Sequence, residues 1–154
     1  MLVWRLTSAD HPDPTGEGAR LAGGRWNHPG TAVVYTAESE SLAVLEYLVH
    51  LDSDEIPDDV VLLAATIPDE MAVATIDPAT LPNNWRTLDD HEPLQTMGTA
   101  WAQQNTTTVL QVPSAVVQTG SNYLLNPTHP DFTKITWSNA VPYGFDSRLF
   151  PDKP

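Results

Sequence analysis

Residues 23–51 read GGRWNHPGTAVVYTAESESLAVLEYLVHL, and they decide the predicted fold because strand and helix patterns meet there. Residues 25–26 and 32–36 flank the turn-forming residues 27–30, and this arrangement predicts two strands joined in a hairpin. Residues 39–51 begin with a serine-rich cap and run too long for a strand, so they predict a helix. Strands followed directly by a helix indicate a mixed α+β domain.

The rest of the chain alternates short apolar runs with turn residues, and its 14 prolines favour short elements. The sequence predicts a loop at 10–18 and a second helix at 94–104. Further strands are predicted at 2–6, 60–67, 71–76, 106–112, 122–125 and 135–137. We therefore expect a single domain over residues 1–154, of the α+β class, with a mixed short-stranded β core and a few helices.

The chain is strongly acidic, with 20 Asp and Glu residues against seven Lys and Arg, which gives a formal net charge of −13. Such a surface repels nucleic acid, and it repels free anionic metabolites at long range. A substrate that carries phosphates would therefore need a few well-placed arginines. The acidity is explained either by solubility alone or by a basic protein partner.

Several classes of site and location are disfavoured. The chain has no cysteine, which excludes disulfides, cysteine metal sites and a cysteine nucleophile. Its five histidines lack metal-binding spacing, so we expect no metal. Neither a P-loop nor a dinucleotide-binding glycine motif is present. With no secretory leader and no long apolar run, we expect a cytoplasmic protein that contacts neither membrane nor nucleic acid directly.

Glu46 is a candidate catalytic group because it lies in the middle of a predicted helix that is apolar on nearly every side. Such a helix is expected to be buried. A carboxylate is rarely buried without a partner or a purpose, since its desolvation is costly. The alternative is that Glu46 reaches the rim, or pairs with an arginine only for stability.

Arg25 and Ser114 are the other two candidates. Arg25 follows a glycine pair that lets the backbone approach a ligand, and its planar guanidinium suits phosphate or carboxylate. The alternative is a hairpin edge whose arginine balances nearby acid. Ser114 follows a predicted strand and could donate to a ligand, or act as a nucleophile beside a base. No G-x-S-x-G elbow surrounds it, and a turn serine that bonds its own backbone is the alternative.

Taken together, these segments resemble the RES-domain toxins, a family named for an arginine, a glutamate and a serine. Those three residues correspond here to Arg25, Glu46 and Ser114. The resemblance extends from Trp4 to Phe150 and also includes a Q-x-x-G-x-x-W pattern beginning at 95. The segments that carry it are residues 23–48, VPSAVV at 112–117, NYLLNPTHP at 122–130 and FDSRLF at 145–150.

The resemblance implies a fold similar to that of ADP-ribosyltransferase toxins, built around an NAD+ cleft. It implies a type II toxin–antitoxin system whose second protein, an Xre-like antitoxin, covers the active site. It also implies that NAD+ is attacked as a substrate without a metal. Either NAD+ is degraded with water or phosphate as acceptor, or its ADP-ribose is transferred to a host protein.

The expected roles follow from this chemistry. Cleavage of the nicotinamide–ribose bond passes through an oxocarbenium-like transition state, which Glu46 would stabilise. Arg25, helped by Arg5, would hold the pyrophosphate. Because Val44 occupies the position two before Glu46, where many glutamate-type ADP-ribosyltransferases carry an acid or Gln, transfer to protein is mildly disfavoured.

Three further residues complete the expected site. Ser114 would position the ribose or a phosphate. Tyr35 would stack on nicotinamide or bond the ribose, with core packing as the alternative. Asn122 matches the family's N-x-L-x-N-P segment and is a cofactor-binding candidate, with a structural role as the alternative. A different hypothesis, a non-catalytic binding module, joins Glu46 and Arg25 in a buried salt bridge.

Overall fold

The computed structural model describes residues 1–51, 56–87 and 91–150. Its centre is an eight-stranded sheet in the order β4-β5-β6-β2-β1-β3-β7, with β8 paired to β3. The strands are β1 (Leu2–Ser8), β2 (Val34–Ala37), β3 (Val60–Thr66), β4 (Val73–Thr75), β5 (Val109–Pro113), β6 (Ser121–Leu125), β7 (Thr136–Trp137) and β8 (Val141–Pro142). Only β4 and β5 run parallel among these pairs.

In the part of the chain that the structure describes, the sheet is accompanied by the helices α1 (Glu17–Ala22), α2 (Glu40–Leu48) and α3 (Glu92–Gln104). Short 3-10 helices occur at Pro78–Thr80, Pro130–Lys134 and Ser147–Leu149. The expected α+β class, with a short-stranded β core and few helices, is confirmed. Within the described ranges, every helix is too short or too polar to cross a membrane.

The two faces of the sheet are covered differently. Side chains alternate between faces along a strand, and directly paired residues share a face. Trp4 pairs with Ala37, and both pack against Leu42 and Ala43 of α2. We call this side of the sheet, which carries Trp4 and Ala37, the helix face. It also carries a larger hydrophobic cluster that joins the inner strands to α3. Its buried members are Trp26, Val33, Leu81, Trp85, Leu94, Trp101, Ala102, Leu110, Val112 and Leu124.

The opposite face is covered by the segment around the second 3-10 helix, at residues 130–135. Its buried members are Val3, Val34, Ala65, Ile67, Val109, Leu125 and Ile135, with Phe132 and Trp137 packed against them. Since helices α2 and α3 both lie on the helix face, their polar side chains can meet strand residues only on that side of the sheet.

The predicted hairpin at 25–36 is wrong. Residues 25–26 form a turn with a single bridge between Gly24 and Asn27, and β2 pairs with β1 and β6 instead. The cause is the Asn27 side chain, which is fully buried and donates to three backbone carbonyls, those of Ala19, His28 and Thr31. These bonds hold the segment as a loop.

Two further expectations need correction. The predicted loop at 10–18 ends earlier, because α1 begins at Glu17 after Gly16 adopts a left-handed conformation with φ of 72°. The helix predicted at 39–51 spans Glu40–Leu48 and is not buried all round. Leu45 and Val49 are 40% and 56% exposed, because α2 packs on the sheet through one side only.

Several strand and helix bounds also shift. The strand expected at 71–76 is confined to β4, and the one expected at 106–112 begins later and includes Pro113 as β5. The second helix begins at Glu92, two residues before its predicted start. β8 is absent from the predicted set, since a two-residue strand that contains a proline carries no alternating pattern.

Candidate active site

Glu46 lies in the last turn of α2, half-buried against the helix face. Ser39 fixes the start of this helix, because its side chain accepts a hydrogen bond from the Leu42 amide. Ser114 Oγ donates to Glu46 Oε1 at 2.7 Å, and Asn122 Nδ2 donates to the same oxygen at 2.6 Å. Two donors on one oxygen fix the direction of the carboxylate and leave Oε2 without a hydrogen bond from the described residues.

The sheet brings these two donors together. Asn122 lies directly opposite Val112, and Ser114 follows Pro113, which is opposite Ser121. Ser114 is fully buried, and its amide donates to the Gly120 carbonyl. Its hydroxyl also accepts from the amides of Val116 and Val117 at 3.1 and 3.0 Å. The structure thus shows the turn-bracing role that was the alternative for this serine, together with a contact to Glu46; donation to a ligand stays a prediction.

Asn122 shares its face of the sheet with Ala37 and Leu124. Its Nδ2 faces the carboxylate, and the reverse orientation would place two oxygens against each other, so the amide orientation is chemically determined. The other amide atom, Oδ1, is buried and accepts no hydrogen bond from the described part of the chain. Asn122 thus orients Glu46 at the cost of one unsatisfied acceptor.

Arg25 is half-buried, and its Nη1 donates to the Trp85 carbonyl at 3.1 Å. Burial lowers the pKa of Arg25 below its ordinary value, and the negative charge of Glu46 acts in the opposite direction. Glu46 is therefore near enough to affect the guanidinium electrostatically. In the described ranges the two groups form no ion pair within 4.0 Å, so they interact through their charges and not by direct contact.

Tyr35 lies at the same end of the site, and its hydroxyl points into the protein. It donates to Asn27 Oδ1 at 2.7 Å and accepts from the Trp26 amide at 3.0 Å. Burial raises the pKa of the Tyr35 phenol well above its usual range, so the phenol keeps its proton at all physiological pH values. The ring packs against the helix-face cluster, which fits the core-packing alternative for this residue.

A cavity of about 290 Å³ opens beside Arg25. It is lined by Ala22, Gly23, Gly24, Arg25, His50, His91 and Gln95. No carboxylate is among these lining residues, although the chain as a whole is strongly acidic. Glu46, Ser114 and Asn122 do not line it either. Because pockets for drug-sized ligands span roughly 300–1,000 Å³, this cavity has room for part of a dinucleotide.

Arg5 is not brought together with the other candidates. It follows Trp4 along β1, so its side chain projects from the opposite face, away from Tyr35 and Asn122. Its Nη2 donates to Thr7 Oγ1 at 3.3 Å, and burial lowers the pKa of Arg5. The structure thus groups Arg25, Tyr35, Glu46, Ser114 and Asn122 on the helix face and leaves Arg5 outside that group.

Residues that the sequence reasoning did not assign hold the loop that carries Arg25. We call residues 23–28 the Arg25 loop. Gln95 Nε2 donates to the Gly24 carbonyl at 2.9 Å, and Thr99 Oγ1 accepts from the His28 amide at 2.9 Å. A Cβ on Gly98 would collide with the Trp26 carbonyl. The Q-x-x-G-x-x-W pattern contained part of this signal, because its Gln95 and Gly98 lie on one side of α3, where Thr99 also lies.

The described residues contain no group of three or more His, Asp or Glu side chains placed to hold a metal ion. The polar groups at this site are instead one carboxylate with two donors and one guanidinium beside a carboxylate-free cavity. Such an arrangement can bind an anionic ligand at one end and stabilise positive charge at the other.

Comparison with known proteins gives a consistent assignment. The family described as "RES domain" matches residues 2–146. "Toxin Res" of Photorhabdus laumondii subsp. laumondii is 39% identical over 99% of each chain. "Toxin Res" of Yersinia enterocolitica is 41% identical over 88% of this chain and 89% of the relative. The "Prs ADP-ribosylating toxin" of a Sphingobium species is 36% identical over 95% and 94% of the two chains.

Among solved structures, the M. tuberculosis MbcT–MbcA toxin–antitoxin complex contains a chain with the same fold. The TM-score is 0.77 at 22% identity, over 98% of this chain and 87% of the other. The sequence match over nearly the full length, together with this fold, identifies the chain as a member of the RES-domain family of toxins.

Proposed function

We propose that this protein binds NAD+ and cleaves the bond between nicotinamide and ribose, with Glu46 as the catalytic carboxylate. The observation that carries the proposal is the shared Oε1 of Glu46, which accepts from both Ser114 and Asn122. A carboxylate oriented in this way can stabilise positive charge that develops on a ligand. The positive charge of Arg25 nearby can bind the anionic end of the same ligand.

The chemistry requires little of the protein beyond charge and orientation. When the bond between the ribose C1′ and the nicotinamide nitrogen breaks, the electron pair leaves with nicotinamide, which becomes neutral. The ribose becomes an oxocarbenium-like cation, and the Glu46 carboxylate stabilises it electrostatically. The acceptor oxygen or nitrogen then forms its bond to C1′ and releases a proton.

Arg25 is the group proposed to bind the pyrophosphate. Its guanidinium presents several N–H donors in one plane, and that geometry suits phosphate oxygens. The cavity beside it is lined by this arginine and by no carboxylate. This supports a locally positive electrostatic potential, which an acidic protein needs in order to bind an anionic substrate. The Trp85 carbonyl occupies one of its donors and restricts where the guanidinium can point.

Two acceptor classes are compatible with this site. With water or phosphate as acceptor, the protein depletes NAD+. With a protein side chain as acceptor, it is a mono-ADP-ribosyltransferase that modifies a specific host enzyme. The Sphingobium relative is named an ADP-ribosylating toxin, and this similarity supports the second function. Val44 is buried and apolar, so a protein acceptor would not be activated from that position.

The non-catalytic alternative has less support. It requires Glu46 and Arg25 to be joined in a buried salt bridge, whereas the two form no ion pair within 4.0 Å in the described part of the chain. Ser114 and Asn122 bind the carboxylate instead. A binding module would have no need to orient a carboxylate with two donors while leaving one of its oxygens open.

We also propose that an Xre-like antitoxin covers this site in the cytoplasm. A protein that consumes NAD+ would harm its own cell, so its activity has to be inhibited tightly. The fold shared with a chain of a toxin–antitoxin complex supports this partner, and so does the strongly acidic surface. Co-expression with the neighbouring gene followed by pull-down tests it. A chain that is harmless and monomeric when expressed alone would contradict it.

The function is tested by incubating the purified chain with adenine-labelled NAD+, with and without cell lysate. Release of nicotinamide without lysate, with the label in small molecules, identifies NAD+ degradation. Label in a protein band that requires lysate identifies ADP-ribosylation. Absence of both from a chain freed of any partner would overturn the proposal.

A further inference from the structure

We infer that Tyr35 is a positioning residue that holds the Arg25 loop for the substrate, and that its hydroxyl does not contact NAD+. This inference rests on the proposed function, since Arg25 is the group being positioned. It replaces the expected role of Tyr35 as a residue that bonds the ribose. The Tyr35 hydroxyl is hydrogen-bonded to residues 26 and 27, Gly24 packs directly against it, and α3 holds the opposite side of the loop.

The hydroxyl is already committed inside the protein. A phenol has one proton to donate, and Tyr35 gives it to Asn27 Oδ1 at 2.7 Å. The phenol oxygen of Tyr35 in turn accepts a hydrogen bond from the Trp26 amide at 3.0 Å. A ligand could take the proton of this phenol only by displacing its bond to Asn27, the residue that holds the loop in place.

The Arg25 loop is shaped around this hydroxyl. A Cβ built on Gly24 would lie 2.6 Å from the Tyr35 oxygen, closer than real Cβ contacts allow. Glycine is therefore required there for the backbone to approach Tyr35 this closely. The second glycine of the pair thus serves contact with the tyrosine, in addition to any approach to a ligand.

The opposite side of the loop is braced by α3. The Gln95 side chain binds the Gly24 carbonyl, the Thr99 hydroxyl binds the His28 amide, and Gly98 leaves room for the Trp26 carbonyl. The loop is thus held between Tyr35 on β2 and one side of α3. Asn27 connects the two, because it accepts from Tyr35 while donating to three backbone carbonyls.

A clamp of this kind has a functional consequence. Arg25 lies between two residues whose backbone is fixed, so its guanidinium starts from a defined position at the cavity. Fixing a binding group before the substrate arrives lowers the entropy lost on binding. Loosening the clamp should therefore weaken NAD+ binding and leave the bond-breaking step at Glu46 largely unchanged.

The direct test is amide hydrogen exchange measured by NMR on Tyr35→Phe, with Tyr123→Phe as the matched control. The substituted ring keeps its packing and loses only the hydroxyl. The Trp26 amide should exchange about 3- to 10-fold faster, corresponding to the loss of one ordinary hydrogen bond. In Tyr123→Phe the same amide should be unchanged, because Tyr123 pairs with Thr36 and lies on the opposite face.

The functional test is steady-state kinetics with NAD+. Tyr35→Phe should raise KM about 3- to 10-fold with kcat within about twofold, again the loss of one hydrogen bond. In an Arg25→Ala background the same substitution should have little further effect, because residues that act through one group are not additive. If Tyr35 contacts the substrate itself, its effect should persist in that background.

A second variant covers the case in which Tyr35→Phe does not fold. Thr99→Val keeps the side-chain shape and removes the hydroxyl that accepts from the His28 amide. Because Thr99 does not line the cavity, a rise in KM of the same size in this variant would come from the loosened loop. If the amides exchange faster in the variants but the parent protein shows no NAD+ turnover, the proposed function is refuted and the clamp is supported. Unchanged Trp26 exchange and unchanged KM in an active protein would refute the clamp.

Discussion

Asn122 donates a 2.6 Å hydrogen bond to Glu46, while its own Oδ1 is buried and accepts nothing from the described residues. A buried acceptor without a donor costs about 1–3 kcal/mol of stability. The protein therefore retains an unfavourable group where its amide nitrogen orients a carboxylate. Trade-offs of this kind between stability and activity concentrate at functional sites.

This relationship predicts a large effect on activity and a small effect on stability for Asn122→Ala. Loss of a hydrogen bond to a charged group, about 1.5–3 kcal/mol, should lower NAD+ turnover by roughly 10- to 100-fold. Removal of the unsatisfied acceptor offsets the lost hydrogen bond in the free energy of unfolding, so the melting temperature should change by no more than a few degrees. Nicotinamide release and thermal unfolding measure the two effects. A marked fall in Tm with full activity would mean that Asn122 is purely structural.

Ser114→Ala should reduce both properties. It removes the other donor to Glu46, so turnover should fall by roughly 10- to 100-fold, as for Asn122. It also deprives two amides, those of Val116 and Val117, of their acceptor, at a cost of about 1–3 kcal/mol. Ser41→Ala on the exposed side of α2 is the control and should change neither. Full turnover in Ser114→Ala would contradict the assigned contact with Glu46.

The fit between α3 and the Arg25 loop predicts that Gly98→Ala is destabilising. The added Cβ would meet the Trp26 carbonyl, and overpacking of this kind costs about 1–3 kcal/mol. For a chain of this size that corresponds to a fall in Tm of roughly 2–12 °C. Gly18→Ala is the matched control, because nothing lies within 4 Å of its added Cβ and helix propensity favours alanine. Equal Tm values for the two variants would argue against the close packing.

Arg25→Lys separates charge from shape. Lysine keeps the positive charge but loses the planar set of donors, one of which binds the Trp85 carbonyl. KM for NAD+ should rise about tenfold, with a smaller change in kcat, because a phosphate contact contributes equally before and during bond breaking. A variant whose KM stays at the wild-type value would indicate that Arg25 does not bind the substrate.

The sequence predicted the fold class, and it singled out Glu46 as a candidate, because strong local signals marked both. Ser39 followed by an apolar run marked α2, and Glu46 stood out as a carboxylate in the middle of that run. The Arg25 segment was mispredicted as a strand because long-range bonds override its local pattern. The Asn27 side chain donates to the carbonyls of residues 19 and 31, which lie before and after the segment. Thr99, on the distant helix α3, accepts a hydrogen bond from the His28 amide.

The face of Arg5 and the role of Tyr35 were beyond reach of the sequence for a similar reason. A one-residue shift in register moves a strand's side chains to the other face, and the pairing of β1 with both β2 and β3 fixes that register. The donors to Glu46 likewise come from strands far along the chain. Their meeting depends on β5 and β6 pairing, which no local pattern specifies.

The most direct test of the central claim is nicotinamide release by purified Glu46→Gln compared with the parent protein. The amide keeps the size of the side chain and an acceptor for Ser114 or Asn122, but it lacks the negative charge that stabilises the ribose cation. We expect release to fall about 100-fold or more while the Tm shifts by no more than a few degrees. Turnover in Glu46→Gln at the parent level would contradict the claim that this carboxylate drives cleavage of NAD+.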